Sequence, residues 1–208
     1  FKYLPFTGDE LANIGNELGK NGGLTAQTVV RTGTQATEQA FRELAAARPE
    51  VIHLATHGFF LANDRDLQRI PYYRLRMQNM DNSMRRAGVA LAGAEATWCG
   101  AEGNDTDDGI LTADEVARFD LTGTKLVVLS ACETALGDYS FEGVYGLPRG
   151  FKQAGAKALL VSLWSVNDRS TALLMSEFYR GWLGGQTPRQ ALEQAVKAVR
   201  KQYPEPYY

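Results

Sequence analysis

The chain has 208 residues, 44% hydrophobic and 22% charged, with a formal net charge of −2. That is enough for one large domain with a full core, and it gives no basic footprint for nucleic acid. No stretch is apolar and long enough to span a bilayer, so neither nucleic acid nor a membrane is expected as a partner. No signal peptide opens the chain, but Phe1 is not an initiator, so a longer natural chain is expected. The two cysteines, Cys99 and Cys132, cannot build a disulfide framework and lack metal-ligand spacing. A reducing, cytoplasmic setting and the absence of a cofactor are the corresponding expectations.

In chain order, Thr7 and Glu10 have the spacing of a capping box, with Leu11, Ile14 and Leu18 on one helical face. Asn21-Gly22-Gly23 ends that helix, and Thr25 to Arg31 reads as a strand. Ala40, Phe41 and Leu44 stripe a second helix that stops before Pro49. Val51-Ile52-His53-Leu54-Ala55-Thr56-His57-Gly58 is a strand ending at a histidine. Residues 60–86 show no usable period, Ala87 to Gly93 reads as a strand of small residues, and Ala94 to Asp108 reads as a loop. Its acidic group (Asn104, Asp105, Asp107, Asp108) does not match a calcium loop.

Thr112 and Glu115 cap a short helix, and Lys125 to Thr134 is a strand stopping at Cys132. Gly137 to Gly143 reads as a loop, Val144 to Gln153 as a helix, and Ala156 to Leu163 as a strand covered on both faces. Two helices close the chain. One carries Leu174, Phe178 and Trp182; the other opens at Thr187-Pro188-Arg189-Gln190 and carries Leu192, Val196 and Val199. Alternating helices and strands predict an α/β fold with a mostly parallel sheet and a single domain over 1–208.

The chemistry gathers at two strand ends. In an open parallel sheet, ligands bind at the carboxyl edge, and His57 and Cys132 would share it. A thiol attacks a carbonyl as thiolate, and an imidazole titrating near neutrality suits the base. The N–H groups of Gly58 and Cys132 are the candidate oxyanion donors. Each signal has a plainer reading: a cysteine at a strand end packs as a small hydrophobe, and a His-Gly pair makes a turn. His53, inside the strand, reads as a core histidine.

Taken together, Ala55-Thr56-His57-Gly58, Asp108-Gly109-Ile110-Leu111-Thr112-Ala113 and Leu126 to Thr134 resemble the CHAT domain. Further likenesses are Leu4-Pro5 with Glu10, Leu91-Ala92-Gly93-Ala94, Glu142 to Leu147, Ala154 to Lys157 and Ser162 to Asp168. The resemblance covers nearly the whole chain in the family's order. It groups the chain with caspases and separase, and it implies a three-layer α/β/α sandwich and peptide-bond hydrolysis by His57 and Cys132. Two features depart from the pattern: residues 60–86 match poorly, and an expected Trp-containing final strand does not follow Tyr207-Tyr208.

By the same resemblance, Val161 to Asp168 lines the pocket for the substrate residue preceding the cut, through Trp164, Ser165 and Asp168. An aspartate there favours arginine or lysine. Asp168 also precedes a helix and reads equally as part of its start. Glu142 is a second acidic candidate, with a solvated loop residue as its alternative. The leading function is a cysteine endopeptidase acting on a protein substrate, under control of a helical-repeat domain in the same chain or another partner. The alternative is a catalytically idle scaffold for protein–protein contact. A small-ester hydrolase lacks its Gly-x-Ser-x-Gly elbow.

Overall fold

The computed structural model describes residues 1, 4–20, 28–61, 71, 83–101, 107–130, 138–140, 143–162 and 166–204. Its bounded elements are α1 (Thr7–Lys20), α2 (Glu38–Ala46), β1 (Val51–Ala55), β2 (His57–Phe60), β3 (Ala87–Ala90), α3 (Ala94–Trp98), β4 (Ile110–Thr112), α4 (Ala113–Val116), β5 (Leu126–Ser130), β6 (Asp138–Ser140), β7 (Gly143–Tyr145), α5 (Leu147–Gln153), β8 (Leu159–Val161), α6 (Asp168–Leu183) and α7 (Pro188–Gln202). They belong to two compact units: Phe1 with Arg31–Ser165, and Lys2–Val30 with Val166–Tyr208.

The first unit holds the sheets. Its parallel sheet runs in the order β1-β5-β8. Leu126-Val127-Val128-Leu129 is apolar without alternation, as a central strand covered on both faces must be, and every residue of β5 is buried. β1 and β8 flank it and are half-buried. Val127 and Leu129 face a core shared with Phe41 and Ala45 of α2, Val89 of β3, Leu111 of β4 and Phe151 of α5. A second sheet, β2-β3-β4, is antiparallel, and β6 pairs with β7 in an antiparallel hairpin.

The expected α/β class is therefore present with a parallel three-stranded sheet, and a separate antiparallel sheet stands beside that expectation. Among the described strands, parallel pairing is confined to β1, β5 and β8. The small residues of β3 are needed for close approach. A Cβ on Gly88 would stand 2.7 Å from the Phe59 ring and 2.8 Å from the Leu111 carbonyl oxygen.

The second unit contains α1, α6 and α7. α7 opens with a complete capping box between Thr187 and Gln190, as its sequence predicts, and buries Ala191, Ala195 and Val199 along one face. α6 buries Met175, Phe178 and Tyr179, and burial pushes the Tyr179 phenol well above its ordinary range, with Glu10 adding to the effect.

Several local expectations are corrected. Thr7 is the first residue of α1 and not a residue before it; its hydroxyl donates back to the Leu4 carbonyl, and Glu10 is buried. Thr28 to Arg31 is exposed and joins no described sheet, and the rest of that expected strand lies outside the described residues. Residues 94–98 form the short helix α3 in place of a loop, entered through Gly93 in a left-handed conformation at φ 97°. The loop expected over 137–143 includes β6, and the helix expected from Val144 begins at Leu147 because Gly143–Tyr145 is taken up by β7. Strand β8 covers only the middle of the apolar run 156–163.

Candidate active site

The first unit supplies the geometry in question. β1 and β5 are parallel neighbours, paired Val51↔Leu126 through Ala55↔Ser130, so the offset between partners is 75 residues at each of these pairs. His57 and Cys132 are separated by the same 75 positions. Cys132 lies outside the described residues, as do Glu142, Trp164 and Ser165.

His57 is half-buried and is the first residue of β2. Between β1 and β2 stands Thr56, where the chain leaves the parallel sheet and enters the antiparallel one. The Thr56 hydroxyl donates to the Ala90 carbonyl, and Ala90 is the β3 partner of His57, so one residue of β3 ties both residues of the crossing. Gly58, the candidate oxyanion donor, pairs with Val89. His53 lies in β1 opposite Val128.

An aromatic group flanks the histidine. The Phe1 ring lies 5.5 Å from the His57 ring and 5.2 Å from Trp98, and Trp98 meets Phe59 edge-on at 5.0 Å. Sequence reading missed this group; the available signal was Phe59, two positions after His57 on an alternating strand.

Beside β3, the segment Asp108 to Thr112 leads into β4 and braces the antiparallel sheet. The Asp108 carboxylate accepts from Ile110 N at 2.7 Å, and the Asp108 carbonyl accepts from the Thr97 hydroxyl at 2.6 Å. Gly109 N donates to Glu38 Oε1 at 2.8 Å, and the Gly109 carbonyl accepts from Leu91 N at 2.6 Å. Gly109 has φ 82°, and a Cβ there would fall 2.2 Å from Ala94 N, so no other residue fits. Thr112 and Glu115 complete the predicted capping box.

Glu38 is 1% exposed. Burial, then the nearby Glu115 charge and the hydrogen-bonded Asp108 carboxyl, push its pKa up to about 8, while Gly109 N–H works in the other direction. Its second oxygen accepts from Arg42 at 2.8 Å.

Asp168 lies in the second unit, at the first position of α6. The capping is done by Asn167, whose Oδ1 accepts from Arg169 N at 3.0 Å and Ser170 N at 3.2 Å. Asp168 Oδ2 accepts from Phe6 N at 2.9 Å. Cys99 is an exposed free thiol at the end of α3. Among the described residues, no group of three or more His, Cys, Asp and Glu side chains is placed to hold a metal ion, and no helix is long and apolar enough to cross a membrane.

Comparison with known proteins adds the following. A family model described as the CHAT domain matches residues 1–208. Tetratricopeptide repeat protein 28 of Mus musculus is 35% identical over 91 residues, covering 44% of this chain and 4% of that protein. Its Homo sapiens counterpart is 36% identical over 91 residues, with the same coverage. The match thus spans a small fraction of the length of these curated relatives.

Proposed function

We propose, on the premise that this chain belongs to the CHAT domain family, that it is a cysteine endopeptidase in which His57 activates the thiol of Cys132. The observation that carries this reading is the 75-residue offset shared by five consecutive β1–β5 pairs and by the two reactive residues. The β1–β5 pairs end at Ala55↔Ser130, two residues short of each reactive residue, and the reading brings imidazole and sulfur together beyond that point, at the carboxyl edge of the parallel sheet. The caspase-like three-layer sandwich is the frame this reading assumes.

The mechanism follows from the groups involved. His57 takes the Cys132 proton, and the thiolate attacks the substrate carbonyl. The N–H groups of Gly58 and Cys132 are assigned to the oxyanion, and the imidazolium returns its proton to the leaving amine. Water then hydrolyses the thioester with His57 as base. The substrate is a protein, and a reducing cytoplasm suits the free thiol.

Relatives named for tetratricopeptide repeats support control by a neighbouring helical-repeat domain. Preference for a basic residue before the cut would need the second oxygen of Asp168, since the first is held by Phe6 N.

Proteome-wide mapping of new protein termini tests the proposal. Wild type is expected to generate termini that Cys132→Ala does not, with both proteins equally folded by circular dichroism. Identical termini from the two would assign this chain to the idle-scaffold alternative.

A further inference from the structure

Away from His57, the first unit holds a concavity of about 300 Å³ between the end of α2 and the segment after α4. Arg42 and Arg48 reach it from α2 and just beyond, and Arg118 and Asp120 from the other side. Three guanidiniums thus share the wall with one carboxylate, in a chain whose net charge is −2. The apolar part comes from the half-buried Phe119, whose ring is held edge-on to Phe41 at 5.3 Å.

The ion-pair partners leave the positive excess in place. Arg48 pairs with Asp120. Arg118 meets Asp114 at 2.6 Å, but Arg85 draws on the same carboxylate at 3.4 Å. Arg42 meets Glu38 at 2.8 Å, the buried carboxyl whose pKa is raised to about 8, so at neutral pH that pair is a cation on a neutral acid. Among these groups, four guanidiniums stand against the two charged carboxylates Asp114 and Asp120. Arg48 is also the one non-glycine residue with a positive φ (50°) among the described residues. Glycine is the usual residue where a helix ends in that conformation, yet here the position keeps a cation in the cavity.

From this arrangement we infer that the concavity binds a small aromatic phosphate monoester, its phosphate among Arg42, Arg48 and Arg118 and its ring against Phe119. Guanidinium forks match phosphate oxygens, and the volume lies at the small end of ligand sites, enough for one ring and its phosphate. The inference stands apart from the peptidase reading.

The test titrates the full chain with phenyl phosphate by calorimetry at pH 7 in low salt. One saturable site is expected, with inorganic phosphate binding at least about threefold more weakly for want of the ring. Arg118→Gln, at an exposed side chain, should weaken binding about tenfold with circular dichroism unchanged. Arg42→Gln keeps a donor for Glu38 and should weaken binding by about the same factor. Asp120→Asn removes the carboxylate from the wall and should tighten binding severalfold, which loss of structure would not do. Arg189→Gln, on the exposed side of α7, should change nothing. Absence of saturable binding, unchanged affinity in both cavity-arginine variants, or equal weakening by Arg189→Gln overturns the site. Inorganic phosphate binding as tightly as phenyl phosphate overturns the aromatic ligand class. A phosphotyrosine peptide bound at least about tenfold tighter than phenyl phosphate would move the ligand to a protein and overturn the small-molecule assignment.

Discussion

The turn at Asp108–Thr112 and the carboxyl end of β5 both stand close to the candidate site, and they are built on opposite principles. In the turn, both the N–H and the carbonyl of Gly109 are bonded, the Asp108 carboxylate is used, and Thr112 and Glu115 cap each other. At the end of β5, the Ser130 hydroxyl is buried and unpaired among the described residues. The first region is over-determined and holds the β3–β4 pair, and through it β2 and His57. The second leaves a buried hydroxyl unsatisfied at the end of the central parallel strand. The contrast separates residues that keep the scaffold in register from a residue whose polar group takes no part in it.

The contrast is broken most severely at the turn. Gly109→Ala puts a Cβ 2.2 Å from Ala94 N in a backbone at φ 82°, and both effects act against folding. A loss of about 4 kcal/mol is expected, lowering the thermal midpoint by roughly 8–16 °C. A change under ~1 kcal/mol by urea unfolding would show that the turn is not the brace described.

Changes at the active edge should behave in the reverse way. His57→Ala is expected to slow labelling of Cys132 by about 10²–10⁴-fold, the range for loss of a general base, with little change in stability. The exposed Cys99 is the internal control, because its reactivity should not depend on His57. Equal slowing at both thiols would mean that the variant acts on folding alone.

The smallest effect sharpens the first region through pH. Glu38 is kept protonated in the fold up to about pH 8 and returns to the ordinary carboxylate value of 4.5 on unfolding. Between those values unfolding releases a proton, so its stabilising contribution is complete below the window and is lost as pH rises through it. The slope is at most about 1.4 kcal/mol per pH unit. Glu38→Gln preserves the acceptor for Gly109 N and should flatten that slope in urea titrations from pH 5 to 8. An unchanged slope would assign the proton to another group.

What the sequence revealed, and what it concealed, follows the range of the forces. The continuous apolar run of β5, the capping boxes at Thr112 and Thr187, and the small residues of β3 are local signatures, and each is found where its pattern points. The change of sheet at Thr56 is not local. Val51 to Gly58 reads as one strand, and only pairing with β5 on one side of Thr56 and β3 on the other divides it. Likewise α3 depends on a left-handed Gly93, and β6 and β7 depend on each other.

At the site, His57 and Cys132 were singled out because each follows an apolar run in the sequence; His57 is found as the first residue of β2, and Cys132 lies outside the described residues. Ser130 was not singled out, since an orphan hydroxyl is visible only once its neighbours are in place. Asp168 was legible as a helix-start acid, but its bond to Phe6 N joins residues 162 positions apart.

The most direct measurement concerns the pairing of positions 57 and 132. His57→Cys in a Cys99→Ser background places thiols at two positions separated by the 75 residues of the β1–β5 offset. A disulfide forms when Cα atoms lie within about 7 Å and the Cβ atoms face each other. Mild oxidation followed by peptide mass mapping is expected to recover an intramolecular link between these two positions in the folded protein. Two free thiols after oxidation, or links only between separate molecules, would contradict the alignment on which the proposed mechanism stands.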